Sequence, residues 1–347
     1  MLNDALHSSH NASMNTDSPT FTGLHGLQQG DALNETSRDL LQKTAALAAA
    51  VPASELTISH RRSLMHEASR LLQVEGLMLP VSSEDLQVPL PGRRLAARLY
   101  EPKALSSDVL LVYFHGGGWV LGDLQTHHLS LQFLALHLGM KVLSVEYRKA
   151  PEHVFPAACD DAEQTVAWAH THLAHWGCKR IAVGGDSAGG HLAAVAMHTL
   201  QATHAIQMAG ALLFYPVTDM QFTNRSYTER GSGLGLTKES MQWFWQQFLS
   251  PHLPLTQMQI SADPRAVPMR QRWTRPPPPC VIIAAWHDPL YDEAVSYAQL
   301  LAHAGGKVVM QSAPDLSHGF MRQIGVASSA KAHVLAALHA FRTLLDH

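Results

Sequence analysis

The chain has 347 residues, 46% of them hydrophobic and 15% charged, with a formal net charge of −3. That balance excludes a disordered chain and suits a globular protein of one large domain or two ordinary ones. The small net charge supplies no pull towards nucleic acid or an anionic membrane, and neither is expected as a partner. The 23 histidines are spread from His7 to His347 without a metal-type spacing such as H-E-x-x-H, so no metal is expected. The three cysteines, Cys159, Cys178 and Cys280, are widely separated, which argues against a disulfide framework and for a reducing compartment. Residues 1–10 have neither the basic nor the apolar region of a signal peptide, and no stretch approaches the ~20 apolar residues of a membrane span. A cytoplasmic location without stable membrane insertion is the expectation.

Residues 1 to about 33 are rich in Asn, Ser, Thr, His and Gly without a period, which predicts a loose N-terminal extension. Residues 34–80 are expected to hold two helices. Thr36-Ser-Arg-Asp39 reads as a helix start, followed by the apolar stripe Leu40, Leu41, Leu47, Ala48 and Val51 and closed by Pro52. The second helix carries Leu64, Met65, Ala68, Leu71 and Leu72, with Gly76 as its C-cap. Both precede any strand, so they pack on a domain formed later, as a lid or as part of an outer layer. From Glu84 the apolar period falls to two, and residues 84–90 and 94–100 flank Pro91-Gly92 as a hairpin. Residues 110–114 are continuously apolar, as in a strand buried on both faces. Strand-like and helix-like segments then alternate at 141–147, 161–174, 180–184, 191–200 and 210–215, and again at 280–286, 293–304, 307–311 and 330–345. A hairpin followed by repeated β-α units predicts a mostly parallel, doubly wound sheet over residues 81–347.

The rhythm breaks after Val217, where an insertion at about 218–260 is expected. Within it Met241, Phe244, Trp245, Phe248 and Leu249 share one helical stripe. Such a stripe fits core packing and fits the roof of an apolar pocket. Pro276-Pro-Pro-Pro279 is a stiff lead-in to the next strand.

The chemistry centres on Gly185-Asp-Ser-Ala-Gly189, which lies between a strand and a helix of small residues. That is the context of a G-x-S-x-G nucleophile elbow, where glycines relieve crowding around an exposed serine. The helix beginning at Ser187 turns its free N–H groups and its dipole towards any negative charge that develops there. Upstream, His115-Gly-Gly-Gly-Trp119 follows a strand, and consecutive glycines let backbone N–H groups converge as an oxyanion hole does; His115 itself reads as structural. An activated serine needs a base, and the base an orienting acid, in the chain order Ser, Asp or Glu, His. Asp288 and His318 both follow strand ends downstream of Ser187, with Asp292 and Asp315 as other candidates for the acid. Asp292 and Glu293 read as openers of the following helix, His191 as packing beneath the site, and His287 and His153 as motif neighbours without an assigned role. Ligands bind at the carboxyl ends of such strands.

The motifs His115-Gly-Gly-Gly-Trp119, Tyr147-Arg-Lys-Ala-Pro-Glu-His153 with Phe155-Pro-Ala157, Gly185-Asp-Ser-Ala-Gly-Gly190, Asp288-Pro-Leu-Tyr-Asp-Glu293 and His318-Gly-Phe320 occur in order. In them the chain resembles the hormone-sensitive lipase family of serine carboxylesterases, from about Glu84 to the C-terminus. The resemblance implies an α/β-hydrolase fold with a helical cap, and hydrolysis of short-to-medium acyl esters through an acyl-enzyme. It implies Ser187 as nucleophile, His318 as base and then acid, Asp288 as orienting acid, and oxyanion donors from Gly117, Gly118 and Ala188. It places the pocket roof in the two N-terminal helices and the insertion, which turns the aromatic stripe towards a lid; Trp119, Met241 and Trp245 are the substrate-binding candidates. The expected partner is a small-molecule ester, with no cofactor, and the chain is expected as a monomer or homodimer. Val267 stands where the family commonly has Ser before Pro, Arg148-Lys149 replaces Arg-Leu, and the first 33 residues or so have no family counterpart. Amidase or lactonase chemistry on the same triad, and a non-catalytic receptor on this scaffold, are the alternative functions. A dinucleotide enzyme is not expected, since Gly184-Gly185 and Gly189-Gly190 lack the G-x-G-x-x-G spacing.

Overall fold

The computed structural model describes residues 21–22, 30–52, 56–74, 76–203, 206–250 and 263–346. A two-residue strand, β1 (Phe21–Thr22), is followed by the helices α1 (Glu35–Ala49) and α2 (Ile58–Arg70). The expected hairpin is β2 (Val81–Leu90) and β3 (Arg93–Pro102), and Gly92 turns it at φ +74°. Pro fixes φ at the preceding position, so Pro-Gly makes a tight connection. Then come β4 (Val109–Phe114), β5 (Lys141–Val145), β6 (Arg180–Asp186), β7 (Gly210–Phe214), β8 (Cys280–His287) and β9 (Val308–Ser317). They form one sheet in the order β1-β9-β8-β7-β6-β4-β5-β3-β2, parallel from β1 to β5 and antiparallel at β5-β3-β2.

Successive residues of β4 divide between two cores, as a strand buried on both faces requires. Leu110, Val112 and Phe114 pack with α4 (Ala157–Thr171), α5 (Ala188–Ala202) and α8 (Tyr291–His303). Val109, Leu111 and Tyr113 pack with α3 (His128–Leu138) and α9 (Ser328–Leu345). Between β7 and β8 lie α6 (Arg225–Glu229) and α7 (Lys238–Leu249), the latter opened by a capping box between Thr237 and Ser240. Cys159, Cys178 and Cys280 are buried and unpaired. Among the described residues no helix is long and apolar enough to cross a membrane.

The sequence reading misses α3. Leu131, Phe133, Leu134, Ala135 and Leu138 are buried, but the half-exposed face also carries leucines, Leu129 and Leu136 beside His128 and Gln132, so the sequence shows no 3.6-residue alternation. The expected C-cap Gly76 does not end α2. That helix stops at Arg70 with Leu71 still right-handed, and Gly76 turns the loop beyond. Strand β9 runs six residues past the expected Gln311, through Pro314. Pro314 falls between Ala313 and Ser317, where the register with β8 shifts and the regular ladder is interrupted, a place in a strand that tolerates a residue without an N–H. Within the stretch read as a loose extension, β1 pairs with this strand at Val308 and Val309, and Asn34 N–H donates to the Asp315 carbonyl at 2.8 Å. Residues 1–20 and 23–29 of it, and residues 251–260 of the expected insertion, lie outside the described residues.

Candidate active site

Ser187 sits between β6 and α5 with φ 55° and ψ −120°, a backbone conformation that L residues rarely adopt. Three hydrogen bonds hold it there: Ser187 N–H to the Phe214 carbonyl at 2.9 Å, and the N–H groups of His191 and Val217 to the Ser187 carbonyl at 3.1 and 3.2 Å. The flanking glycines have a steric cause. A Cβ on Gly185 would fall on the carbonyl of Gly189, and one on Gly189 on the carbonyl of Phe114.

His318 follows β9 directly, and its Nε2 lies 2.9 Å from Ser187 Oγ. Its Nδ1 lies 2.6 Å from Oδ2 of Asp288, which follows β8 directly. Asp288 is fully buried, and its Oδ1 accepts from the Leu290 N–H at 2.9 Å. One orientation of the imidazole satisfies both contacts, with Nδ1–H donating to the carboxylate and Nε2 accepting from the hydroxyl. Tyr215 supports the ring from one side, 4.7 Å between centroids, while its hydroxyl accepts from the Met321 N–H at 3.2 Å. Asp292 and Asp315 are engaged elsewhere. Asp292 accepts from the Ser226 N–H at 2.8 Å, and Asp315 from the Ser329 hydroxyl at 2.6 Å.

The glycine loop follows β4. Gly117, Gly118 and Trp119 take φ values of 126°, 60° and 60°, and a Cβ on Gly118 would meet the Phe244 ring. Among the described residues the N–H groups of Gly117, Gly118 and Ala188 meet no protein acceptor. Asp186 joins this loop to the elbow. Its Oδ1 accepts from the Tyr113 hydroxyl and the Gly116 N–H, both at 3.0 Å, and its Oδ2 lies 3.3 Å from His127 Nε2. Burial opposes the charge of Asp186, but His127 and Tyr113 outweigh it and hold the carboxyl below its usual range. Sequence reasoning gave Asp186 no role. The available signal was a carboxylate ending a strand that is apolar or glycine from Ile181 to Gly185, which must be partnered when buried.

His115 and His191 are fully buried, and burial pulls each down to about 4, so both are neutral imidazoles at pH 7. His191 Nδ1 accepts from Trp119 Nε1–H at 3.2 Å and its Nε2–H donates to the Ala266 carbonyl at 3.0 Å. His287 Nε2 lies 2.8 Å from the Asp31 carbonyl. Glu293, in the first turn of α8, turns inward and accepts from the Thr218 N–H at 2.8 Å. Val267 is fully buried. Arg148 is bound by Asp161, and Lys149 reaches the Gly122 carbonyl at 2.8 Å and Glu146.

The cleft above Ser187 has a volume of about 170 Å³, with Met65 from α2 and Met241 and Phe244 from α7 on its apolar side. Two of the three expected substrate-binding residues are placed differently from the expectation. Trp119 and Trp245 are fully buried behind the glycine loop, where Trp119 stacks on Phe248 at 4.3 Å, while Met241 reaches the cleft. Phe244 and Met65, read only as members of apolar stripes, line the cleft instead. A helix stripe wider than one row gives side chains to both the core and the cleft, and spacing alone does not tell them apart. Polar contacts also tie α2 to the rest of the chain. Arg62 forks onto Glu152 at 2.7 and 2.8 Å and reaches the Val120 carbonyl, and His66 lies 2.7 Å from Asp123.

A hydroxyl, an imidazole and a buried carboxylate bonded in series at the carboxyl ends of parallel strands define the geometry of the serine hydrolases. A family model for the alpha/beta hydrolase fold matches residues 111–322. Carboxylic ester hydrolase LipN of Mycobacterium tuberculosis is 39% identical over 278 residues, 76% of this chain and 72% of the relative. Ethyl acetate hydrolase of Pseudomonas putida is 31% identical over 84% of this chain and 92% of its own length. A solved esterase of Pyrobaculum calidifontis superposes with a TM-score of 0.80 at 30% identity, over 90% of this chain and 98% of that one. The chain belongs to the α/β-hydrolase family, among its hormone-sensitive-lipase-like esterases.

Proposed function

We propose that the protein is a serine carboxylesterase acting on small esters, with Ser187 as nucleophile, His318 as base and then acid, and Asp288 as the orienting acid. The hydrogen-bonded series Ser187–His318–Asp288 carries this reading. His318 Nε2 takes the hydroxyl proton as Oγ attacks the ester carbonyl, and Asp288 stabilises the imidazolium that forms. The oxyanion is received by the N–H groups of Gly117, Gly118 and Ala188, the last at the N-terminus of α5, where the dipole adds to the bond. Collapse of the tetrahedral species expels the alcohol, protonated by His318. Water activated by the same imidazole then releases the acid. Residues 34–80 and the segment from about 218 act as the cap, since α2 and α7 both contribute to the cleft wall. A cytoplasmic location belongs to the same reading, supported by three buried, unpaired cysteines. A serine-reactive phosphonate tests the assignment. Stoichiometric labelling at Ser187, with matching loss of ester hydrolysis, is expected, and labelling elsewhere or none would refute it.

The cleft favours short acyl groups. Phe244, Met65 and Leu121 stand between it and an outer cavity of about 450 Å³ bounded by Arg61, Leu64 and Trp243. Phe244→Ala is expected to join the two and to raise the octanoate-to-acetate ratio of kcat/KM by about tenfold or more, the scale on which added methylenes discriminate in a pocket. An unchanged ratio across an acyl-length series would show that Phe244 sets no limit.

A further inference from the structure

Arg322 has no part in the mechanism above, yet it lines the same cleft as Ser187 and His318. It belongs to the 3₁₀ turn Phe320–Gln323, which starts at Gly319 with φ 83° directly after His318. One guanidinium nitrogen, Nη2, donates to Ser69 Oγ of α2 at 2.9 Å, and that hydroxyl donates onward to the Met65 carbonyl at 2.7 Å. Its Nε is enclosed and has no hydrogen-bond partner among the described residues. Among the described residues Arg322 forms no ion pair, because the carboxylates near it use their oxygens elsewhere. Asp186 is bound by Tyr113, Gly116 and His127, and Asp123 accepts from Gln125, Thr126 and His66. Burial holds the guanidinium below the usual arginine range, and Asp186, Tyr215 and Asp123 only partly offset it.

Arg322 is half-buried, with its Nε enclosed and unpaired; a guanidinium in that setting without an anion is costly, and a carboxylate is its best geometric match, two oxygens against a fork of N–H donors. Resting on the reading of Ser187 as nucleophile, we propose that Arg322 selects esters bearing a free carboxylate, namely monoesters of short dicarboxylic acids. The ester carbonyl then lies at Ser187 and the carboxylate on Arg322. The small cleft sets the spacer, and Met65, Met241 and Phe244 cover its methylenes. Attack by Ser187 expels the alcohol, and the dicarboxylate leaves after hydrolysis of the acyl-enzyme.

The test compares kcat/KM of the full chain for monomethyl succinate, glutarate and adipate with that for methyl butyrate. Wild type should favour the best monoanion over the neutral ester. Arg322→Gln should lower that preference by about 10- to 100-fold, the effect of losing a hydrogen bond to a charged group. Arg322→Lys should restore part of it. A second measurement needs no variant: free glutarate should inhibit methyl butyrate hydrolysis by the wild type competitively, and at least tenfold more tightly than butyrate. Hydrolysis of methyl butyrate with no preference for a monoanion, or an equal preference in Arg322→Gln, overturns the proposal and leaves the Ser187 reading standing. Failure to hydrolyse either class, with no phosphonate labelling at Ser187, overturns both.

Discussion

Replacing Ser187 by alanine is expected to lower kcat for short-chain aryl esters by ~10⁶-fold, the scale found when a triad nucleophile is removed. Among the described residues the side-chain hydroxyl makes one hydrogen bond, to His318, so its loss leaves the three backbone bonds that hold the elbow intact. Alanine keeps a Cβ at the same φ, so the turn keeps its shape and its strain. Circular dichroism and the urea midpoint should therefore stay close to wild type while turnover disappears. Residual catalysis over water is expected from the oxyanion donors alone, on the order of 10³-fold. Undiminished turnover would remove Ser187 from the mechanism.

Asp288→Asn is the second large effect, expected at ~10⁴-fold in kcat. Asparagine is nearly isosteric, and its oxygen can still accept from the Leu290 N–H that Asp288 Oδ1 now receives at 2.9 Å. The other half of the amide would then present N–H donors to His318 Nδ1, where the carboxylate now accepts at 2.6 Å. The imidazole must answer by accepting at Nδ1, which places its proton on Nε2, facing the serine. A hydroxyl facing an N–H cannot give up its proton there. Phosphonate labelling of Ser187 should slow in parallel with kcat. Asp315→Asn is the matching control, since Asp315 bonds Ser329 and not His318, and a comparable loss in that variant would reassign the acid.

The chemistry was more legible in the chain than the walls around it. Ser187, Asp288, His318 and the Gly116–Gly118 loop stand at strand ends, and glycines and order along the chain are local signals that survive without coordinates. The sheet was equally readable, because β4 is apolar at every position and the hairpin carries Pro91-Gly92. Helix α3 was not, since leucines on its half-exposed face as well as its buried one erase the period that marks a helix. The cleft wall failed for a related reason. Trp245 and Met241 share one stripe of α7, and only the packing of that stripe against Trp119 decides which of them reaches the cleft. Arg322 gave no pattern at all. Its position depends on the turn at Gly319 and on an α2 hydroxyl far away in sequence.

The positive φ of Ser187 has a meaning for how this sequence trades fitness against robustness. A non-glycine residue in such a region gives up on the order of 1–3 kcal/mol. Glycine at position 187 would recover part of that, so thermodynamic selection alone would drift away from serine at the position proposed as the nucleophile. The turn can hold an unfavourable residue because neighbouring strands and α5 fix it from three sides. Gly185 and Gly189 are then the opposite case, positions where stability and activity ask for the same residue. Around Ser187 the chain is thus both over-constrained and locally suboptimal, which is the signature of a segment shaped by function rather than by folding.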